Sequence, residues 1–487
     1  MVKLIVDDIW TKVCYEYSDN TALVARDKIY NALGVRADGY FFSRQYRQGQ
    51  WDGYVRFFNK RKNVFPTGLL GTVKRCLNKN FVEYKIEDLR NIIHRDPNDL
   101  DDEVYDGMLK GIRLRDYQIQ AIKEAVCRGR GIIFAATNAG KTEIAAGIIK
   151  VLNKPSIYLA TSRSLVVQTA ERLEKRLQKP VRIVAQGIEK NEDSDIVVGT
   201  FQTFWSKTTR NIVPEYAKIL DVSEVLFLDE CHLSTSDEWY KIAIRVRAPY
   251  RFGLSGTPFS NDKVRNIKLR ACTGDVVFKI SNEELIKRGV SSCPIVYFFP
   301  IETDQLDLQN AIYETAYQQL IVRNEKRNEK IAEIVEKCIE RGEHVLILIK
   351  MIEHGEILLD KLIQRNIKCE FIHGQNDITR RKEVIEMFKS GKIQCIIASA
   401  IFDQGIDIDN MQNLIIASGG ASKVKTLQRL GRALRKGTQP FVNIYDFMDL
   451  GNKYLKKHSK KRIESCKDEE FDVRLQKQGG DDEEKFS

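Results

Sequence analysis

The chain has 487 residues, 43% hydrophobic and 30% charged, an ordinary balance for a soluble globular protein but too long for one core, so two or three domains are expected. Its 78 Lys/Arg against 67 Asp/Glu leave a net charge of +11, which points to a polyanionic partner, nucleic acid being the commonest. No apolar run approaches the ~20 residues of a membrane helix, the start MVKLIVDDIW lacks a signal-peptide layout, and the ten cysteines form no C-x-x-C pair; these readings argue against membrane insertion, export and structural zinc, and for a cytoplasmic location (the host cytoplasm if the chain is viral).

Residues 1–95 read as a small basic α+β domain. Positions 1–90 hold 16 Lys/Arg against 10 Asp/Glu, a net of +6. Aromatic and basic residues interleave from Tyr40 to Lys62, and Tyr54–Phe65 reads as a hairpin turning at Asn59–Asn63. Such aromatics serve either as a small core or as platforms for base stacking. The cations Arg44, Arg47, Arg56, Lys60, Arg61 and Lys62, with Trp51, are the candidate contacts to phosphates and bases. An acidic stretch, 96–110, reads as a linker.

From residue 111 short apolar strands alternate with amphipathic helices, the pattern of a parallel α/β sheet. Strands are expected at 131–135, 156–160, 182–185, 195–199, 225–228 and 251–254. A second α/β series is expected over 291–450, with helices across 306–340 and strands at 344–349, 369–372, 393–398, 413–417 and 441–445. The remainder, 451–487, with ten basic and nine acidic residues after Gly451, reads as a charged tail, partly helical and disordered at its end.

The first series opens with a strand, a small-residue loop and Gly140-Lys141-Thr142 at the start of a helix. That is the setting of a phosphate-binding loop. Backbone N–H groups of Asn138, Ala139, Gly140, Lys141 and Thr142 would meet phosphate oxygens at the helix N-terminus. Lys141 supplies a charge to the β and γ phosphates, and the Thr142 hydroxyl a ligand to Mg²⁺. Ala135 stands where the usual pattern has its first glycine, and Asn138 tolerates the left-handed backbone that such a loop needs. Eighty-eight residues after Lys141, an apolar strand ends in Asp229-Glu230. Behind a phosphate loop this pair reads as a Mg²⁺ ligand (Asp229) and a residue that orients or deprotonates the attacking water (Glu230).

Asp229-Glu230-Cys231-His232 resembles the DExH motif of superfamily 2 helicases, and further segments follow in that family's order across about 320 residues. Arg115-Asp116-Tyr117-Gln118 is similar to the adenine-reading segment, and the resemblance implies nucleotide contacts for Arg115 and Gln118. Segments 161–168 and 199–203 are similar to motifs Ia and Ic, which implies nucleic-acid contacts for Arg163, Ser164, Gln168, Thr200, Gln202 and Thr203. Ser255-Gly256-Thr257-Pro258 resembles motif III, so Ser255 and Thr257, with His232 and Gln428, are the coupling candidates. Phe371-Ile372-His373-Gly374 resembles the segment after motif IV, with His373 and Gly374 toward nucleic acid. Segment 398–407 resembles motif V, with Gly405 and Asp407 toward the nucleotide. Gln428-Arg429-Leu430-Gly431-Arg432-Ala433-Leu434-Arg435 matches motif VI, whose arginine fingers fall on Arg432 and Arg435.

The resemblance implies two tandem RecA-like parallel-sheet domains, with ATP and Mg²⁺ taken between them, driving movement along nucleic acid. Trp51-Asp52-Gly53-Tyr54 and Arg56-Phe57-Phe58 are similar to the amino-terminal module of the phage UvsW group. That resemblance implies action on branched or duplex DNA: junction migration, fork regression and R-loop removal in recombination and repair. An RNA helicase or another superfamily 2 translocase is the alternative, because residues that track a backbone serve both nucleic acids.

Overall fold

A computed structural model of the chain describes residues 1–15, 20–92, 102–190, 193–210, 212–233, 236–291, 293–302, 306–374, 376, 378–399, 412–420, 441–468, 471–476 and 483–485. The chain forms two compact units, 1–280 and 281–487.

Six strands belong to the amino-terminal part: β1 Val2–Val6, β2 Trp10–Tyr15, β3 Gly34–Arg36, β4 Tyr54–Arg56, β5 Val64–Pro66 and β6 Tyr84–Asp88. Four form a sheet in the order β5-β2-β1-β6, while β3 and β4 make a separate antiparallel ribbon. The expected hairpin over 54–65 forms only at its turn, where Asn59 and Val64 exchange backbone hydrogen bonds (2.9 and 3.3 Å). Its first half pairs with β3 and its second with β2, so its two halves join different sheets. Each half finds a better apolar neighbour: Phe58 and Phe65 are buried with Leu4, Ile29 and Val73 between the sheet and the helices Asn20–Ala32 and Leu70–Lys79.

That small core continues into the motor part of the same unit. Ala271 is one of its buried members, and Tyr240 and Ile267 pack against it. Gly68 lies so near the helix Lys263–Cys272 that a Cβ there would stand 2.1 Å from the Arg270 carbonyl oxygen. Arg75 pairs with Asp275 at 2.8 Å, and the buried Arg130 guanidinium donates to the Asp8 carbonyl (3.2 Å).

The rest of unit 1 is an eight-stranded sheet of β7 Arg130–Ala135, β8 Ser156–Ala160, β9 Arg182–Ala185, β10 Ile188–Lys190, β11 Ile196–Thr200, β12 Val225–Asp229, β13 Tyr250–Ser255 and β14 Val276–Ile280. Its order is β10-β9-β11-β8-β12-β13-β7-β14, parallel except for the edge hairpin β9-β10. The central strands are buried along their whole length and mostly apolar, because helices cover both faces.

Unit 2 repeats the architecture with β15 Cys293–Ile301, β16 Val345–Leu348, β17 Cys369–Ile372, β18 Cys395–Ala398, β19 Asn413–Ile416, β20 Phe441–Asp449, β21 Asp472–Gln476 and β22 Glu483–Lys485. The order is β17-β18-β16-β19-β20-β15-β21-β22, parallel up to β21. Leu346 and Leu348 face one core while Val345 and Ile347 face the other. The helices expected across 306–340 are separate segments, and the last begins at Asn324, whose side chain accepts the Arg327 N–H (3.0 Å) and starts the helix Glu325–Glu340.

The charged tail from 451 was expected to be partly helical, and its helix packs into the core of the unit. Residues 453–468 form a helix whose Cys466 lies in the core under the sheet, and Val473 of β21 joins it. Arg462, from the basic block, is fully buried and its Nε donates to Asp446 Oδ2 (2.9 Å). The lysines around it face outward, so the composition of the segment hid an amphipathic helix.

Candidate nucleotide site and nucleic-acid interface

In a parallel sheet all carboxyl ends of the strands open on one edge, where ligands are taken. In unit 1 this edge gathers the loops after β7, β8, β11, β12 and β13. The loop after β7 closes because two residues take left-handed angles, Asn138 (φ 75°) and Gly140 (φ 77°). Asparagine tolerates that conformation. At Gly140 there is a second demand, since a Cβ would meet Gln118 Nε2 at 2.3 Å. Lys141 opens the helix Lys141–Leu152, and its Nζ donates back to the Ala135 carbonyl at 3.4 Å.

Gln118 is buried against this loop. Its Oε1 accepts the Arg115 N–H (2.9 Å) and its Nε2 donates to the Ala139 carbonyl (3.0 Å), to which the Tyr117 hydroxyl also donates (3.2 Å). The segment 115–118 is therefore fastened to the back of the phosphate loop.

Asp229 ends β12 and Glu230 turns the chain through φ 45°. Asp229 accepts the Glu230 N–H at 3.0 Å and a hydrogen bond from the Tyr158 hydroxyl. Burial first, and the Glu230 charge second, push the Asp229 carboxyl up, while Lys141 pulls it down. Such a carboxylate wants a cation. Thr142 at the helix start and Asp229 at the strand end suit Mg²⁺, and among the described residues no group of three or more His, Cys, Asp or Glu could hold a metal. Two protein ligands fit an ion that takes its other oxygens from phosphate and water.

His232 Nδ1 lies 3.0 Å from Ser255 Oγ and 3.3 Å from Glu230 Oε2, and Ser255 Oγ also accepts the Thr257 N–H (3.1 Å). Burial lowers the His232 pKa, so the ring is neutral at pH 7. Glu230, His232, Ser255 and Thr257 thus form one chain of polar contacts. Gly256 brings the same loop against the phosphate loop, its missing Cβ 3.4 Å from the Ala135 carbonyl.

Two further loops share the edge. Ser162 caps the helix Arg163–Leu177 and Thr200 caps the helix Phe201–Trp205. Gln202 Nε2 donates to the Thr161 carbonyl (3.2 Å), which ties the two loops together. Arg163, Ser164 and Gln202 are exposed, Gln168 and Thr203 half-buried.

Family models match both series: "Type III restriction enzyme, res subunit" over residues 111–260 and "Helicase conserved C-terminal domain" over 326–437. The ATP-dependent DNA helicase uvsW of Enterobacteria phage T4 is 26% identical over 477 residues, covering 90% of this chain and 93% of that one. The chain belongs to the superfamily 2 helicases. A DNA 3'-5' translocase XPB2 of Sulfurisphaera tokodaii is 26% identical over 404 residues, 74% of this chain and 86% of its own. In fold, a fragment assigned as the HsdR subunit of a type I restriction enzyme from Vibrio vulnificus YJ016 is similar at TM-score 0.55 and 16% identity, covering 83% of this chain and 74% of that one. As a superfamily 2 helicase the chain is a nucleic-acid-dependent ATPase built on two RecA-like domains.

Of the remaining helicase residues, His373 and Gly374 follow β17, where the His373 N–H donates to Asn376 Oδ1 (2.6 Å). Gly405, Asp407, Gln428, Arg432 and Arg435 lie outside the described residues. In the amino-terminal part, Arg44, Arg47, Arg61 and Lys62 are exposed. Arg56 is held by Asp52, Lys60 by Asp27 (2.7 Å), and Trp51 Nε1 donates to the Tyr54 carbonyl (2.8 Å). Tyr158 was not a sequence candidate. A tyrosine inside an apolar strand carries no local signal, and only the neighbouring β12 brings it to Asp229.

Proposed function

We propose that this helicase uses ATP to act on branched DNA: migrating junctions, regressing forks and removing R-loops, in recombination and repair. The observation that carries the reading is the basic amino-terminal module fixed by a shared core to the motor sheet, in a chain whose similarity to the phage DNA helicase runs over nearly its full length. A motor that only tracks a backbone needs no such module. The module supplies a second, differently placed grip on phosphate.

In this reading the N–H groups of 138–142 and Lys141 hold the phosphates of ATP. Thr142 and Asp229 would hold Mg²⁺, which when bound neutralises phosphate charge. Glu230 takes the proton of, or orients, the attacking water. Arg115 and Gln118 frame the base, and Arg432 and Arg435, with Gly405 and Asp407, serve the same nucleotide. His232, Ser255, Thr257 and Gln428 relay the state of the phosphates. Arg163, Ser164, Gln168, Thr200, Gln202, Thr203, His373 and Gly374 hold the strand, with Arg44, Arg47, Trp51, Arg56, Lys60, Arg61 and Lys62 on the module.

Steady-state ATP hydrolysis tests this with single-stranded DNA, linear duplex, a four-way junction and RNA, Lys141→Ala serving as the control. The junction is expected to stimulate most, and the control to be inactive throughout. Stimulation by RNA and not by DNA would move the chain to the RNA-helicase alternative.

A further inference from the structure

The module carries aromatics of two kinds. Phe58 and Phe65 are buried in its core, whereas Phe41 is 51% and Phe42 74% exposed. The exposed pair is not loose. It sits on a short helical turn, Tyr40–Phe42, that starts from Gly39 at φ 67° and runs into the helix Arg44–Arg47. Tyr40 is the root of this knob. Its ring meets Tyr46 edge-on at 4.7 Å and lies under the Arg36 guanidinium at 4.5 Å. Gly53 presses on the same ring, since a Cβ there would stand 2.8 Å from it, and its φ of 80° suits glycine. Arg47 donates from Nη2 to the Phe42 carbonyl (3.1 Å), which fixes the tip. Phe41 and Phe42 are then presented outward with their ring centroids 4.3 Å apart.

Charge indicates what they meet. Residues 36–62 contain seven Lys/Arg against two Asp, a net of +5. Of the two acids, Asp52 is neutralised by Arg56, and Asp38 precedes the turn. A rigid pair of exposed rings inside a positive field suits a ligand that is polyanionic along its backbone and offers flat unsatisfied faces. Unpaired bases at a branch point have both properties, and paired bases inside a duplex have no free face. We infer that Phe41 and Phe42 stack on unpaired bases where the strands of a branched nucleic acid separate, with Arg44 and Arg47 on the flanking phosphates. The inference rests on the nucleic-acid motor reading above and adds the feature by which a branch is told from a plain duplex.

The test is equilibrium binding without nucleotide, to a forked DNA carrying 2-aminopurine at its first unpaired positions and to a blunt linear duplex of the same length. Wild-type protein is expected to quench the 2-aminopurine. The double variant Phe41→Ala/Phe42→Ala is expected to lose the quenching and bind the fork about ten-fold more weakly, as loss of base–aromatic stacking implies. Its affinity for the blunt duplex and its melting temperature should not change, and Phe42→Trp should retain the quenching. Equal quenching and fork affinity in wild type and double variant would overturn the inference. So would an equal loss on both DNAs, which marks a general polyanion patch, or an effect confined to self-association, which marks a protein contact. Because no ATP is present, failure here is separate from failure of the motor reading: a chain that hydrolyses ATP on junctions without quenching refutes only the knob.

Discussion

His232 lies between the Glu230 carboxylate and the Ser255 hydroxyl, the place at which hydrolysis is proposed to be coupled to movement. Its neutral ring carries one proton, and its Nδ1 has two neighbours, the Glu230 carboxylate and the Ser255 hydroxyl. A carboxylate only accepts, so the contact with Glu230 needs the proton on Nδ1; with the proton on Nε2, the same nitrogen accepts from Ser255 instead. A change at Glu230 when the phosphates change can therefore be passed to Ser255 and Thr257 by a shift of one proton and one hydrogen bond. His232→Ala is expected to leave basal ATP hydrolysis within about three-fold of wild type. Nucleic-acid stimulation should fall on the order of ten-fold, whereas Glu230→Gln should remove hydrolysis altogether, a loss on the order of 10² or more for a general base. Equal loss of basal and stimulated rates in His232→Ala would place His232 in hydrolysis itself. The phosphate loop and acid pair were legible from sequence because each is a short run with fixed residue types: Gly140-Lys141-Thr142 and Asp229-Glu230. Tyr158, and the fastening of Gln118 to Ala139, were not, because they depend on which strand and helix lie alongside.

At the scale of elements, the central strands of both sheets could be read because burial on both faces leaves short runs of apolar residues between helices. β15 was missed for a physical reason. Pro294 and Pro300 argue against a central strand, yet among the described residues β21 pairs with Ile295–Phe298 and leaves the prolines paired with β20 alone. Local alternation over 54–65 located the turn that Asn59 and Val64 close, but it could not tell pairing within the segment from pairing with β3 and β2. The helix expected in part of the tail is present, but its packing into the core was not legible, because its lysines outnumber the few residues, Leu455, Arg462 and Cys466, that anchor it. The joint between module and motor makes its own prediction. Gly68→Val would drive a side chain into the backbone of the helix Lys263–Cys272. Overpacking of this kind costs about 1–3 kcal/mol. A lowered melting temperature is expected, together with weakened junction binding, while Arg75→Ala, an exposed pair, should change little. Unaltered stability in Gly68→Val would mean that the module is not fixed to the motor sheet through this helix.

For the whole molecule, a net charge of +11 favours attraction to any nucleic acid, and that attraction weakens with added salt because releasing counterions into a more concentrated solution gains less free energy. Charge alone therefore cannot select a branch; in the function proposed above, selection is assigned to the module and movement to the two RecA-like domains. The most direct test is to follow a fluorescently labelled four-way junction with homologous arms, at fixed moderate salt, with and without ATP and Mg²⁺. Conversion of the junction to duplex products by wild-type protein only when ATP is present, and no conversion by Glu230→Gln that still binds the junction, is the predicted result. A wild-type chain that binds the junction and hydrolyses ATP yet leaves it intact, while separating an RNA duplex, would contradict the account.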